Sequence, residues 1–152
     1  MEFRPDRIER YGVELEQSRN IMAQFISEAT DAYDADPKRV YLMGFSQGSI
    51  MSVAVMLTQP EILAGIVVQS GGLPSEVLPK LAARDRFTNF PVMVTHGISD
   101  NVLPVGEAHA LRDFLQTLAV KLDYREYPMR HEISDQSLDD VCGWLMDQLN
   151  NK

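Results

Sequence analysis

The pentapeptide Gly44-Phe45-Ser46-Gln47-Gly48 leaves a chain of this kind few ways to fold. It follows the apolar and β-branched run Arg39-Val40-Tyr41-Leu42-Met43 and precedes Ser49-Ile50-Met51-Ser52-Val53-Ala54. A strand, then G-x-S-x-G, then a helix is the setting of a nucleophile elbow. The glycines read as a steric requirement. The serine sits on a strained turn, where side chains two residues to either side would collide with neighbouring elements. The helix that starts just after Ser46 aims its first N–H groups at developing negative charge. The motif therefore reads as an arrangement for a nucleophilic serine. Standing alone, it could also be a glycine-rich turn without chemistry.

A chain of 152 residues is expected to form one domain, residues 1–152. Its net charge of −8 argues against a nucleic-acid partner, because phosphate contacts need basic patches. Cys142 is the single cysteine, so the chain has no internal disulfide and no cysteine cluster for a metal. No apolar run reaches the length of a membrane span. The opening residues Met1 to Asp6 lack the apolar region of a signal peptide, and the expectation is a cytoplasmic protein.

Periodicity divides the chain into alternating elements. Leu15, Ser18, Met22, Phe25, Ile26 and Ala29 recur at helical spacing and predict a helix over Gly12 to Tyr33. Val40 to Phe45 reads as a buried strand. Gln47 to Thr58 is apolar nearly all round and reads as a deeply buried helix. Ala64 to Gln69 and Pro91 to His96 are further buried strands. Ala108, Leu111, Phe114, Leu115 and Leu118 mark a helix. Asp123 to Tyr127 alternates enough for an edge strand. Leu138, Val141, Cys142, Leu145, Met146 and Leu149 form the expected inner stripe of a last helix, with Cys142 a buried, inert thiol. Strands alternating with helices predict an α/β fold built on a mainly parallel sheet.

Reactive groups in such sheets collect at the carboxyl ends of the strands. Ser46 follows the first predicted strand, Asp100 the third and His131 the fourth. A serine is a weak nucleophile until a base takes its proton, and the base is usually a histidine oriented by a carboxylate. Ser46, Asp100 and His131 stand in the order expected for that trio on this kind of sheet. Asp100 could instead be a turn residue, and His131 a solvated loop residue. Glu107 and Glu132 are rival carboxylates, with Glu132 awkwardly adjacent to His131. His96 reads as a packed strand-end histidine, and His109 as a surface or core-edge residue.

Several segments together resemble the α/β-hydrolase carboxylesterases of the phospholipase/carboxylesterase group, which includes the acyl-protein thioesterases. They are Gly44 to Gly48, Ser70-Gly71-Gly72-Leu73-Pro74, His96-Gly97 through Asp100 to Val102-Leu103-Pro104, and His131-Glu132-Ile133. The resemblance implies a serine hydrolase of acyl esters, thioesters or lysophospholipids, with no metal or cofactor and with Ser46, Asp100 and His131 as its triad. The backbone N–H of Gln47 is the implied oxyanion donor.

Two departures stand out. Members of the group open with further strands and a His-Gly loop that supplies a second oxyanion donor, and only eleven residues precede the first predicted helix here. Losing one such donor costs about 10²–10³ in rate in known cases. Arg130 stands where the group has glycine, a strain if that position needs a positive φ.

The expected molecule is thus a shortened α/β-hydrolase with the Ser46 elbow centrally placed. Its expected activity is hydrolysis of small esters through an acyl-serine intermediate. The alternative is a non-catalytic self-associating remnant, or a stable fragment of a longer hydrolase. Without flanking strands, Val40 to Phe45 would expose an apolar edge, for which a homodimer is the simplest cover. A second chain could then also replace the missing oxyanion donor.

Overall fold

The structure is a computed structural model that describes residues 5–151, with side chains from Tyr11 onward. The described elements are α1 (Pro5–Ala32), β1 (Tyr41–Phe45), α2 (Gln47–Thr58), β2 (Gly65–Gln69), β3 (Pro91–Gly97), α3 (Val105–Gln116), β4 (Lys121–Tyr127) and α4 (Asp135–Asn150). The segment between β2 and β3 carries two 3-10 turns, Ser75–Lys80 and Arg84–Phe87. The four strands lie in the order β1-β2-β3-β4, and every neighbouring pair is parallel. All four therefore end on one side of the molecule, with Phe45 opposite Gln69 and Gly97 opposite Tyr127.

Strand alternation divides the core into two layers. Ile66, Val68, Val92 and Val94 face one side, where they pack with Val53 to Leu57 of α2, Leu111 and Leu115 of α3, and Leu15 and Ile26 of α1. Val67 and Met93 face the other side and meet Val141 and Trp144 of α4. β2 is buried along its whole length, as a strand covered on both faces should be. Residues Val53 to Leu57 have no solvent exposure, which agrees with the all-round apolar pattern of α2.

β1 departs from the expected buried strand. It is an edge strand of the described sheet, the exposed edge expected where flanking strands are missing, so the Ser46 elbow is not central. Val40 and Leu42 pack toward α2, but Tyr41, Met43 and Phe45 point to the α4 face. There α4 reaches only as far as Tyr41, whose ring meets Trp144 edge-on at 6.3 Å. Met43 and Phe45 lie beyond it and are 52% and 37% exposed. β4 is the opposite edge, as its alternation predicts, and begins two residues earlier than expected.

Two helix stripes are also rotated from their expected positions. The inner face of α1 runs Leu15, Arg19, Ala23, Ile26, while Ser18 and Phe25 are exposed. Arg19 is tolerated there because its guanidinium donates to Thr58 Oγ1 at 3.0 Å and pairs with Glu16 at 3.0 Å. The inner face of α4 is Ser137, Val141 and Trp144. Leu138 and Met146 are exposed, and so is Cys142, which is not the buried thiol that periodicity suggested. Burying the large indole against Val67, Met93 and Tyr41 turns the helix away from that stripe.

Candidate active site

Ser46 follows β1 and caps α2 with φ 55° and ψ −117°, a conformation rarely adopted by non-glycine residues. Its N–H donates to the Gln69 carbonyl at 2.9 Å, which ties the turn to the end of β2. Gly44 is obligatory for this turn, because a Cβ there would lie 2.3 Å from the backbone of Gly48. Gly48 itself has open space around it, so the expectation that both glycines avoid a collision holds only for the first. Ser49 reinforces the turn from below. Its fully buried Oγ lies 2.6 Å from both the Gly44 and Gln69 carbonyls and accepts from Gln69 N–H at 2.8 Å.

The His131 segment reaches the elbow by crossing the end of β3. Ile98 N–H donates to the Tyr127 carbonyl at 2.9 Å, and Ser99 N–H to the Met129 carbonyl at 3.1 Å. Gly97 allows this approach, since a Cβ there would lie 2.3 Å from the carbonyl oxygens of Met129 and Arg130. Arg130 has no positive φ, so the strain considered for an arginine at that position does not arise.

The three residues singled out in the sequence meet. His131 Nε2 lies 2.9 Å from Ser46 Oγ, and His131 Nδ1 lies 2.8 Å from Asp100 Oδ2. The carboxylate side of the ring must carry the proton in the neutral imidazole, which leaves Nε2 free to accept from the serine hydroxyl. The Asp100 side chain is fully buried. Its other oxygen accepts from the N–H groups of Val102 and Leu103, each at 2.8 Å. Burial pushes its pKa upward, but hydrogen bonds from His131, Leu103 and Val102 outweigh it and hold the carboxyl below the ordinary aspartate value. The Phe45 ring packs against the imidazole with centroids 5.0 Å apart.

The rival carboxylates lie elsewhere. Glu107 stands beside Gly72, and Glu132 is exposed. His109 is a partly exposed helix residue bonded to Glu126 at 2.6 Å. Gln47 opens α2. In a helix the first N–H groups have no intrahelical acceptor, and the Ser46 carbonyl accepts only from Ser49 and Ile50. The Gln47 N–H thus adjoins Ser46 with no acceptor among the described residues. No His, Cys, Asp or Glu cluster suited to a metal ion occurs among the described residues. Sequence reasoning passed over Ser49 and the His131–Phe45 contact, since both depend on where the chain returns in space.

A parallel sheet with a strained serine at a strand-to-helix turn, facing a histidine and an aspartate from later strand ends, defines an α/β-hydrolase. The profile of the phospholipase/carboxylesterase family matches residues 2–148, and the chain belongs to that family. A probable carboxylesterase of Oryza sativa subsp. japonica is 32% identical over 138 residues, which are 89% of this chain and 50% of the relative. Another relative from the same plant, named a probable inactive carboxylesterase, is 29% identical over 117 residues, 75% of this chain and 47% of the relative. The crystal structure of a point variant of Arabidopsis thaliana SOBER1 superposes with a TM-score of 0.79 at 24% identity, covering 90% of this chain and 65% of that one. The chain thus spans about half the length of the curated relatives it matches.

Proposed function

We propose that the chain is a serine carboxylesterase that hydrolyses small acyl esters through an acyl-serine intermediate. The hydrogen-bonded path from Ser46 through His131 to Asp100 carries this reading. Ser46 Oγ attacks the ester carbonyl carbon while His131 Nε2 takes the hydroxyl proton. The carbonyl oxygen becomes an oxyanion, stabilised by the Gln47 N–H and the positive end of α2. His131 returns the proton to the leaving alkoxide, and the acyl group stays on Ser46. Water then gives a proton to the same imidazole and attacks the acyl carbon. Collapse of this second adduct releases the acid and reprotonates Ser46. Asp100 keeps Nδ1 protonated and offsets the imidazolium charge. The scheme uses no cofactor, and the reading treats residues 1–152 as one shortened domain that pairs as a homodimer along β1.

A second reading is a non-catalytic remnant or a stable piece of a longer hydrolase. It is favoured by the half-length coverage of the relatives and by the name of the inactive one. Turnover of p-nitrophenyl esters and covalent labelling by a fluorophosphonate separate the two. The esterase reading expects labelling of the wild type, none of Ser46→Ala, and loss of turnover with an unchanged circular dichroism spectrum. Asp100→Asn should lower kcat by roughly 10²–10⁴, since the amide favours the wrong imidazole tautomer. Glu107→Gln and Glu132→Gln should stay within a few-fold of wild type. A wild-type protein that neither turns over esters nor labels would leave the remnant.

A further inference from the structure

His96 lies at the end of β3, wholly without solvent exposure, and takes no part in the steps above. Its Nε2 is 2.7 Å from the Leu103 carbonyl oxygen and 3.4 Å from Asp100 Oδ2. The short contact requires a donor facing a carbonyl, so the proton sits on Nε2. Nδ1 is buried and has no partner among the described residues. A buried acceptor without a donor is costly, and an apolar side chain of similar size would fill the same space without that cost. Packing alone therefore does not account for a histidine here.

The contacts around Asp100 form a closed circuit. Leu103 N–H donates to Asp100 Oδ1, and the carbonyl of the same Leu103 accepts a hydrogen bond from His96 Nε2–H. Val102 N–H shares Oδ1, and the Asp100 N–H bonds back to the Gly97 carbonyl at 3.2 Å. Oδ1 is thus fully engaged, and Oδ2 is turned toward His131 Nδ1 at 2.8 Å. Without a donor at position 96, the Leu103 carbonyl loses this anchor, and of these contacts only the Asp100–Gly97 bond still ties the turn over residues 100–103 to β3. The Asp100 carboxylate can then rotate away from the imidazole.

We propose that His96 is a positioning residue for Asp100, acting through the Leu103 carbonyl to fix the carboxylate that orients His131. The inference rests on the serine esterase reading, and one of its tests does not need turnover. His96→Leu removes the donor, whereas His96→Gln can offer an amide N–H to the same carbonyl. The expected result with p-nitrophenyl acetate is a drop in kcat of about 10²-fold for His96→Leu, the size seen when reacting groups are misplaced by an ångström, with KM little changed. His96→Gln should recover most of that loss. In an Asp100→Asn background His96→Leu should cost almost nothing more, because the two changes break one unit.

The readout independent of turnover is the far-downfield proton resonance of His131 Nδ1–H bonded to Asp100. It should be present in wild type, Ser46→Ala and His96→Gln, and absent in Asp100→Asn and His96→Leu. An inactive wild type that still shows this pattern overturns the esterase reading and leaves the positioning role standing. Full retention of the resonance in His96→Leu overturns the positioning role. Equal loss of kcat in the Leu and Gln variants, or an undiminished further loss in the Asp100→Asn background, also overturns it.

Discussion

At the scale of single residues, the elbow shows how strictly backbone space selects side chains. The strained φ of Ser46 is held by its N–H bond to Gln69, by Ser49 Oγ and by the packing of β1 on α2. The two glycines around it are physically different. A methyl at position 44 meets backbone atoms that cannot move without opening the turn, while a methyl at position 48 meets nothing within 4 Å. Gly44→Ala should destabilise the fold by roughly 3 kcal/mol or more, in the range of backbone-collision mutants. Gly48→Ala should leave stability unchanged or raise it by up to about 1 kcal/mol, the helix-propensity gain. Urea midpoints of the two variants check this, and equal losses at both positions would contradict the steric account. Ser46, Asp100 and His131 were legible in the sequence because each follows a readable strand and their chain order fits one sheet geometry. His96 was legible as a packed strand-end histidine, but its partners and those of Ser49 were not. A small hydroxyl in an apolar helix and a histidine in a β-run show their partners only once β2 and the loop after Asp100 return beside them.

At the scale of elements, the amphipathic stripes were legible in kind and wrong in phase where one residue dominated packing. Trp144 turned α4, and Arg19 found partners that let it lie inside α1. The link between β4 and α4 carries a pH dependence of its own. Tyr127 is nearly buried, and its hydroxyl donates to Asp140 Oδ2 at 2.7 Å, with Arg125 on the same carboxylate at 3.2 Å. Burial first, and then the Asp140 carboxylate, push the tyrosine pKa up to about 12. The folded state therefore holds the phenol proton more tightly than the unfolded chain. This contribution is complete below pH ~10, the unfolded value, and is lost as pH rises through about 12. Its size is at most about 3 kcal/mol. Tyr127→Phe should be less stable than wild type at neutral pH, and the gap should close between these two pH values. Thermal midpoints measured across that range test it, and a gap that persists unchanged would place the effect in packing alone.

At the scale of the molecule, the decisive fact is which strand stands at the rim. Alternation identified β4 as one edge, whereas the exposed edge at Val40 to Phe45 was expected only from the missing flanking strands, since the pattern of that strand by itself reads as buried. β1 is that edge, so the Ser46–His131 pair lies at the margin of the described sheet rather than in its middle. The cleft beside Gln47, lined by Tyr11, Leu15, Ile50 and Met51, holds about 180 Å³, which is small for a long acyl chain. Acetate and butyrate esters should therefore be turned over faster than long-chain esters below the micellar limit. A kcat/KM that climbs steadily beyond butyrate would show an apolar channel instead.

The same margin bears on assembly. Among the described residues no strand pairs with the outer side of β1, whose backbone groups form a template for another strand. Met43 and Phe45 add apolar surface on the face that α4 does not reach. Two copies related by a two-fold axis would pair β1 with β1 in antiparallel fashion, joining two four-stranded sheets and covering that surface at once. In such a pairing centred near position 43, Met43→Lys would bring two ammonium groups together, and like charges directly opposite are destabilising. Light scattering at micromolar concentration should report a dimer for wild type and a shift toward monomer for Met43→Lys, with both circular dichroism spectra alike. A wild-type monomer that remains in solution without aggregating would mean that β1 is covered within one chain, and the dimer along this edge would have to be given up.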